Sequence, residues 1–226
     1  MPSLLENIES VRERIAAAAG RAGRNASEIE LVAVSKTHPA EVIREASEAG
    51  QMLFGENRVQ EALAKIPLLP GKLRWHLIGH LQSNKVRKAL PHFELIHGVD
   101  SLDLARDIDR IGAEEGLFLR ILLEVNVSGE GSKHGFDPSV LERHLEELLN
   151  LPRLQIEGFM TMAPLAPEAE ASRPHFRFLR ELRDRLAQTA GIPFPTLSMG
   201  MSGDYEVGVE EGATLVRVGS AIFGTR

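Results

Sequence analysis

The chain has 226 residues, of which 43% are hydrophobic and 26% are charged, with a formal net charge of −6 and no cysteine. This composition is typical of a globular protein with one sizeable core, whereas the acidic balance argues against a nucleic acid partner and the lack of cysteine excludes disulfides and thiolate chemistry. No apolar run approaches the roughly 20 residues of a membrane span and the N-terminus does not resemble a secretory signal, so we expect a cytoplasmic, single-domain protein over residues 1–226.

The first predicted element is an amphipathic helix. Ser3 and Glu6 have the spacing of a capping box, and apolar residues recur after them at intervals of three and four. This helix precedes the first predicted strand.

Short β-branched runs then alternate with longer helical patterns, as is typical of parallel βα units. We predict helices that begin at Pro39, Asn57, Ser101 and Asp137, a long helix over 175–190 and a short last helix over 202–212. Eight units predict a TIM-type (β/α)8 barrel with an extra N-terminal helix, and an open doubly wound sheet is the alternative. The predicted strands cover residues 30–35, 52–55, 73–78, 95–99, 119–127, 156–160, 196–200 and 214–218.

Polar residues follow the predicted strands, at the face of a barrel that carries the active site in enzymes of this fold. Lys36 follows the first strand, and Asn57 and His80 follow the second and third. The segment SGEGSKHG at 128–135 follows the fifth strand, SMGMSGD at 198–204 ends the seventh, and Gly219 with Ser220 follows the eighth.

Lys36 has two possible roles at the end of an apolar strand. A partly buried lysine has a lowered pKa, and its neutral amine can attack an aldehyde to form an imine. A strand-end lysine can equally extend its ammonium group into water, without a chemical role.

The loops after the seventh and eighth strands favour an anion site. Glycines and the Ser202 hydroxyl precede a predicted helix, and phosphate sites of TIM barrels are often built from these two loops. The alternative is that Gly200, Gly203 and Gly219 are turn glycines only. Neither a Walker A motif nor GxGxxG is present, and GEGSK at 129–133 has only a superficial likeness to the former.

Arg217 interrupts the apolar run of the last strand, so an inward guanidinium would need a partner. It could form a structural ion pair, or it could donate to the pyridine nitrogen of a cofactor and keep that nitrogen unprotonated. His76 and His80 lie four residues apart, but no carboxylate near them in sequence completes a ligand set, and we predict no metal. We expect His76 to be packed or hydrogen-bonded in the core and His80 to form part of the site wall.

Six segments together resemble the pyridoxal phosphate homeostasis proteins, the YggS/PROSC group. They are LVAVSKTHP, FGENRVQE, WHLIGHLQSNKVR, EVNVSGEGSKHGF, GFMTMAP and LSMGMSGDYEVGVEEGATLVRVGSAIFG, and they span almost the entire chain in order. The resemblance implies a TIM barrel like the N-terminal domain of alanine racemase, with pyridoxal 5'-phosphate (PLP) held as a Schiff base on Lys36. It also implies Asn57 beside the ring, Arg217 at the pyridine nitrogen, and Ser202, Gly219 and Ser220 at the phosphate. The predicted cofactor-binding residues are Lys36, Asn57, His80, Ser198, Met199, Ser202, Arg217, Gly219 and Ser220.

The family resemblance implies a PLP carrier in vitamin B6 homeostasis, without catalysis, whose partners are PLP and apo PLP-dependent enzymes. A racemase of the related fold uses a tyrosine from a second domain as its other base. This chain ends eight residues after Val218 and has one tyrosine, Tyr205, so we expect an incomplete two-base site and a monomer. The alternatives are a PLP-dependent amino-acid racemase of low activity and a Schiff-base aldolase without PLP.

Overall fold

Eight parallel strands close into a barrel in chain order, and the last strand pairs with the first. The computed structural model describes residues 3–129 and 134–224. The predicted TIM-type barrel is therefore confirmed, and the open-sheet alternative is wrong. The strands are β1 (Glu30–Val34), β2 (Leu53–Glu56), β3 (Arg74–His80), β4 (Leu95–Val99), β5 (Leu119–Glu124), β6 (Leu154–Met160), β7 (Thr196–Met201) and β8 (Leu215–Val218).

Helices surround the barrel, and most connect one strand to the next. Within the two described ranges, no helix combines the length and the apolar character that crossing a membrane requires. The helices are α1 (Leu4–Arg21), α2 (Ala40–Glu48), α3 (Val59–Lys65), α4 (Val86–Ala89), α5 (Leu102–Glu115), α6 (Pro138–Leu149), α7 (Arg173–Ala190), α8 (Tyr205–Glu210) and α9 (Ser220–Phe223).

Several helix ends follow the predicted capping chemistry. The capping box of Ser3 and Glu6 is present at α1, and the side chains of Ser101 and Asp137 accept backbone N–H groups at the starts of α5 and α6. The prediction that Asn57 caps α3 is wrong, because Arg58 occupies the N-cap position and makes no side-chain cap bond. The helix predicted over 202–212 is shorter than expected and is not the last, since α9 follows β8.

The apolar core has two layers because strand residues alternate between the two faces of the barrel wall. Outward side chains pack against the helices, and a separate cluster fills the barrel interior. Strand β7 adds no residue to that interior cluster. Its buried polar residue Ser198 instead forms hydrogen bonds with Arg217. The interior cluster consists of Val32, Val34, Leu53, Ile78, Leu95, Leu122, Met160 and Leu215.

The same alternation carries polar groups to the C-terminal end of the barrel. Lys36 lies two residues beyond the inward Val34, and Arg217 lies two residues beyond the inward Leu215. Val32 pairs with Arg217 where β1 meets β8, so the lysine and the arginine belong to adjacent strands. The barrel register thus places both cationic residues around one opening.

Gly158 in β6 is required by close packing against β7, because a Cβ atom there would lie 1.9 Å from the carbonyl oxygen of Thr196. We expect Gly158→Ala to lower the free energy of unfolding by about 1–3 kcal/mol, the range typical of overpacked cores. Urea unfolding followed by Trp75 fluorescence measures this change. Gly20→Ala is the control, since no atom lies within 4 Å of its Cβ position in α1. Equal stability of Gly158→Ala and the wild type would contradict the close approach of the two strands.

Candidate functional site

A cavity of about 570 Å³ opens at the C-terminal end of the strands. This size is within the usual range of small-molecule sites. The connection after β6, from Met162 to Ala169, forms one side of the cavity and was not among the predicted site residues. Of the nine predicted site residues, seven line the cavity: Lys36, Asn57, His80, Ser202, Arg217, Gly219 and Ser220.

A buried ion cluster holds the backbone that carries Lys36. The ammonium group of Lys65, on α3, donates to the Ser35 carbonyl at 3.0 Å and to the Glu56 carboxylate at 2.9 Å. Ser35 Oγ donates to the same Glu56 oxygen at 2.7 Å. Lys65 also contacts Glu61 at 2.6 Å, and this charged partner offsets the loss of hydration of the buried ammonium. The end of β1 is therefore fixed from behind the cavity.

The side chain of Lys36 is exposed at the mouth of the cavity. Of the two alternatives for this residue, the structure shows the position exposed to water. The next residue, Thr37, has a φ of 69°, which is unusual for a β-branched residue, and its N–H donates to Glu61. The turn after β1 thus keeps its backbone in a fixed conformation while the lysine amine projects into solvent.

Next to the end of β1, in the loops after β7 and β8, two backbone N–H groups converge on one hydroxyl. Ser202 Oγ accepts from Gly219 N at 3.1 Å and from Ala221 N at 3.5 Å. Asp204 shapes this loop by accepting from Met201 N at 2.7 Å and from Ser172 Oγ at 2.8 Å. A group of N–H donors and a hydroxyl at one point suits a phosphate or another anion.

Arg217 lies inside the barrel, where burial lowers its pKa to about 10, so the guanidinium stays charged near neutral pH. Nη1 donates to the Ser198 carbonyl at 2.8 Å and also to Ser198 Oγ. Nη2 donates to the Thr161 carbonyl at 2.9 Å. These bonds use three of the five guanidinium N–H groups. One of the two roles considered for Arg217 was a structural ion pair. Within the two described ranges, no carboxylate is hydrogen-bonded to its guanidinium.

A chain of buried polar contacts continues behind Arg217, which can only donate. Ser198 Oγ accepts from Arg217 and lies 2.9 Å from Nδ1 of His97. Nε2 of His97 in turn lies 3.0 Å from Nδ1 of His76. Burial lowers the pKa of His76 to about 3 and that of His97 well below its ordinary value, so both imidazoles are neutral. The expected hydrogen-bonding role of His76 is confirmed.

Two predicted site residues do not line the cavity. Ser198 is fully buried and acts from behind, through its bonds to Arg217. The prediction for the Met199 side chain is wrong, because the residue following the inward Ser198 on β7 points outward and packs between the barrel and the helices. Strand alternation accounts for both positions.

Glu124 is a cavity residue that the sequence prediction missed. It ends β5, is 4% exposed and lines the cavity together with Arg217. Burial, and secondarily the charge of Asp100, raise the pKa of Glu124 to about 7. Glu124 lies two residues beyond the inward Leu122. The same period-two alternation that indicates Lys36 therefore also indicates this carboxylate.

His80 contacts a carboxylate that is distant in sequence. Its Nδ1 lies 2.8 Å from Asp100 Oδ2, and Nδ1 of His134 lies 3.3 Å from the same oxygen. The expectation that no carboxylate completes a set of metal ligands with His80 is therefore wrong. Asp100 follows β4, which pairs with β3, and it thus lies beside His80. Part of the predicted segment after the fifth strand, residues 130–133, is outside the described residues, and so is most of GEGSK.

Comparison with known proteins identifies relatives over the whole length of the chain. The family model described as alanine racemase, N-terminal domain, matches residues 7–226. The pyridoxal phosphate homeostasis protein of Aquifex aeolicus is 45% identical over 98% of this chain and 97% of its own length. Two structures of PipY from Synechococcus elongatus are each 43% identical, covering 98% of this chain and all of theirs. The structure without PLP has a TM-score of 0.89, and the structure with PLP bound has a TM-score of 0.87.

The raised pKa of Glu124 makes the stability of the protein depend on pH. A carboxyl with a higher pKa in the folded than in the unfolded chain stabilises the fold fully below the unfolded pKa, and this contribution is lost as the pH rises through the folded value. The window runs from the ordinary value of 4.5 to about 7. We therefore expect Glu124→Gln to become more stable relative to the wild type across this window, by at most ~3 kcal/mol.

Urea unfolding at the two ends of this window measures the difference. Glu142→Gln controls for the loss of one negative charge, because Glu142 is an exposed carboxylate on α6. A difference between Glu124→Gln and the wild type that stays constant across the window would contradict the assigned burial of the carboxyl.

Proposed function

Since this chain belongs to the family of pyridoxal phosphate homeostasis proteins, we propose that it binds PLP as a Schiff base on Lys36 and acts in PLP homeostasis as a carrier. One observation carries the proposal. A lysine amine, a loop of N–H and hydroxyl groups and a buried arginine surround one cavity. These groups match the aldehyde, the phosphate and the ring nitrogen of PLP, and a relative of 43% identity has been solved with PLP bound.

The phosphate end of PLP fits the loops after β7 and β8. The N–H groups of Gly219 and Ala221 and the hydroxyl of Ser202 already point at one another, so a phosphate oxygen entering there would meet several donors. Gly203 leaves room for the group, since a Cβ at this position would meet no atom within 4 Å. Ser220 lines the same part of the cavity and offers a further hydroxyl.

The ring nitrogen fits Arg217, whose charge lies in the cavity wall and whose bonds to Ser198 and Thr161 leave two N–H groups for a ligand. PLP bound to a lysine supplies an electron sink for amino-acid chemistry, and its strength depends on protonation of the ring nitrogen. A permanently charged donor such as Arg217 disfavours that proton and weakens the sink. Asn57 and His80 would flank the ring from the ends of β2 and β3.

Lys36 suits reversible loading. Its amine condenses with the aldehyde to form a carbon–nitrogen double bond with release of one water molecule, and hydrolysis reverses the reaction. The exposed position of Lys36 gives water access to that bond. The clamped backbone around Ser35 and Lys65 returns the amine to the same place after each release.

A carrier is favoured over a racemase by the position of the single tyrosine. A racemase requires a second base on the opposite face of the substrate carbon. Tyr205 is buried beneath the guanidinium of Arg14, at 5.4 Å from ring centroid to Cζ, and is not among the residues that line the cavity. The chain is accordingly proposed to hold PLP without a complete pair of bases, and to work as a monomer that supplies apo PLP-dependent enzymes.

We expect the purified protein to be yellow and Lys36→Ala to lose the visible absorption, because the imine requires the lysine amine. Borohydride reduction followed by peptide mass mapping should place the phosphopyridoxyl group on Lys36. Lys72→Ala removes an exposed lysine far from the cavity and should retain both colour and label. A colourless wild type, or a label confined to another lysine, would refute the proposed site.

The carrier role predicts little chemistry on amino acids. Incubated with L-alanine in deuterated water, the protein should exchange the Cα proton no faster than an equal concentration of free PLP. Mixed with an apo PLP enzyme, it should restore activity faster than that same concentration of free PLP. Rapid Cα exchange or formation of D-alanine would favour the racemase alternative, and transfer no faster than from free PLP would count against delivery.

A further inference from the structure

Three potential metal ligands meet at the mouth of the cavity, from three different connections of the barrel. His80 ends β3, Asp100 directly follows β4, and His134 lies between β5 and α6. The ligand atoms of the three side chains all lie within 4.8 Å of one another. Residues separated by 20 and 34 positions in sequence thus direct their polar atoms at one point.

The geometry of the cluster is close to that of a coordination shell. Nδ1 of His80 and Nδ1 of His134 lie 2.8 and 3.3 Å from the same oxygen of Asp100. Ligands about 2.0–2.2 Å from a zinc ion in tetrahedral arrangement are separated by roughly 3.3 Å. The two imidazole rings are stacked, with 4.4 Å between their centroids and 21° between their planes, so the rings must rotate to direct both Nδ1 lone pairs at one ion.

The ligand types select the class of ion. Two imidazole nitrogens and one carboxylate oxygen suit Zn²⁺ and the neighbouring first-row divalent ions better than Mg²⁺ or Ca²⁺, which favour oxygen ligands. A set of three protein ligands leaves a further position for water or a small ligand. Both histidines line the cavity, so that position would face the cavity.

Ion binding also requires a change of tautomer. Nδ1–H of His80 donates to Asp100 without an ion, whereas coordination needs Nδ1 of each histidine unprotonated and the proton on Nε2. The His80 and His134 side chains are 40% and 62% exposed, so water can satisfy an Nε2–H group. The ion would also offset the repulsion between the carboxylates of Asp100 and Glu124.

We propose that His80, Asp100 and His134 bind one divalent transition-metal ion at the mouth of the cavity. The ion would join the connection between β5 and α6 to the ends of β3 and β4, and would thereby restrain one side of the opening. The site shares only His80 with the proposed PLP site, where that residue would flank the ring, and none of its ligands is assigned to the phosphate, the aldehyde or the ring nitrogen. A cluster of two histidines on one carboxylate without metal affinity is the alternative.

Isothermal titration of the full-length protein with Zn²⁺ tests the site. We expect one equivalent to bind to the wild type, and we expect His80→Ala, His134→Ala and Asp100→Asn each to weaken binding by at least about tenfold, the effect that even outer-shell substitutions produce. His144→Ala is the matched control. His144 is an exposed histidine on α6 that lies 3.6 Å from Glu147, and its removal should leave the titration unchanged.

Circular dichroism and thermal unfolding check that each variant is folded. Lys36→Ala should bind Zn²⁺ as the wild type does, so a failure of the PLP proposal and a failure of the metal proposal are distinguishable. Equal Zn²⁺ affinity of the wild type and the three ligand variants would overturn the metal site, as would the absence of a one-to-one binding event.

Discussion

The rest of the site depends on the burial of one positive charge, the guanidinium of Arg217, inside the barrel. A buried charge is stable only where acceptors replace its lost hydration, and here they are the carbonyls of Thr161 and Ser198 and the Ser198 hydroxyl. The Ser198 hydroxyl also bonds to His97, and His97 bonds to His76, so the chain of bonds continues across the barrel interior. A polar strip thereby replaces apolar packing on β3, β4 and β7, and it fixes the orientation of the arginine in the cavity wall.

A second buried cation lies behind the ends of β1 and β2, next to the strand that carries Arg217, and it is arranged for a different purpose. Lys65 is paired with Glu56 and Glu61 behind the cavity, and the same cluster holds the backbone at Ser35. The neighbouring Lys36 has no such surroundings and is exposed. One lysine is therefore held in a structural ion cluster and the other is exposed, although both lie close to the end of β1.

Negative charge gathers at a third part of the opening, where Asp100 and Glu124 end adjacent strands. Their mutual repulsion adds to burial in keeping a proton on Glu124 near neutral pH, and Arg217 opposes this effect only partly. The two sides of the cavity thus differ in their polar groups. N–H and hydroxyl groups suited to an anion lie at β7 and β8, and a carboxyl with a raised pKa lies at β5. A ligand with a phosphate at one end and a polar group at the other would be oriented by this difference.

The sequence by itself determined the barrel and the face of it that carries the site. Period-two alternation predicts that Arg217 faces the barrel interior and that Lys36 follows β1 at the mouth, and the capping residues Ser3, Ser101 and Asp137 predict where helices begin. Both predictions depend on residues near one another in the chain. The predicted cofactor contact of the Met199 side chain is wrong, because strict alternation along β7 directs this side chain outward. The contacts of Lys65 with Glu56, of Ser198 with His97 and of His80 with Asp100 were decided only by the tertiary structure. They join side chains on different strands and helices, and closure of the barrel sets which of these elements are neighbours and at what register.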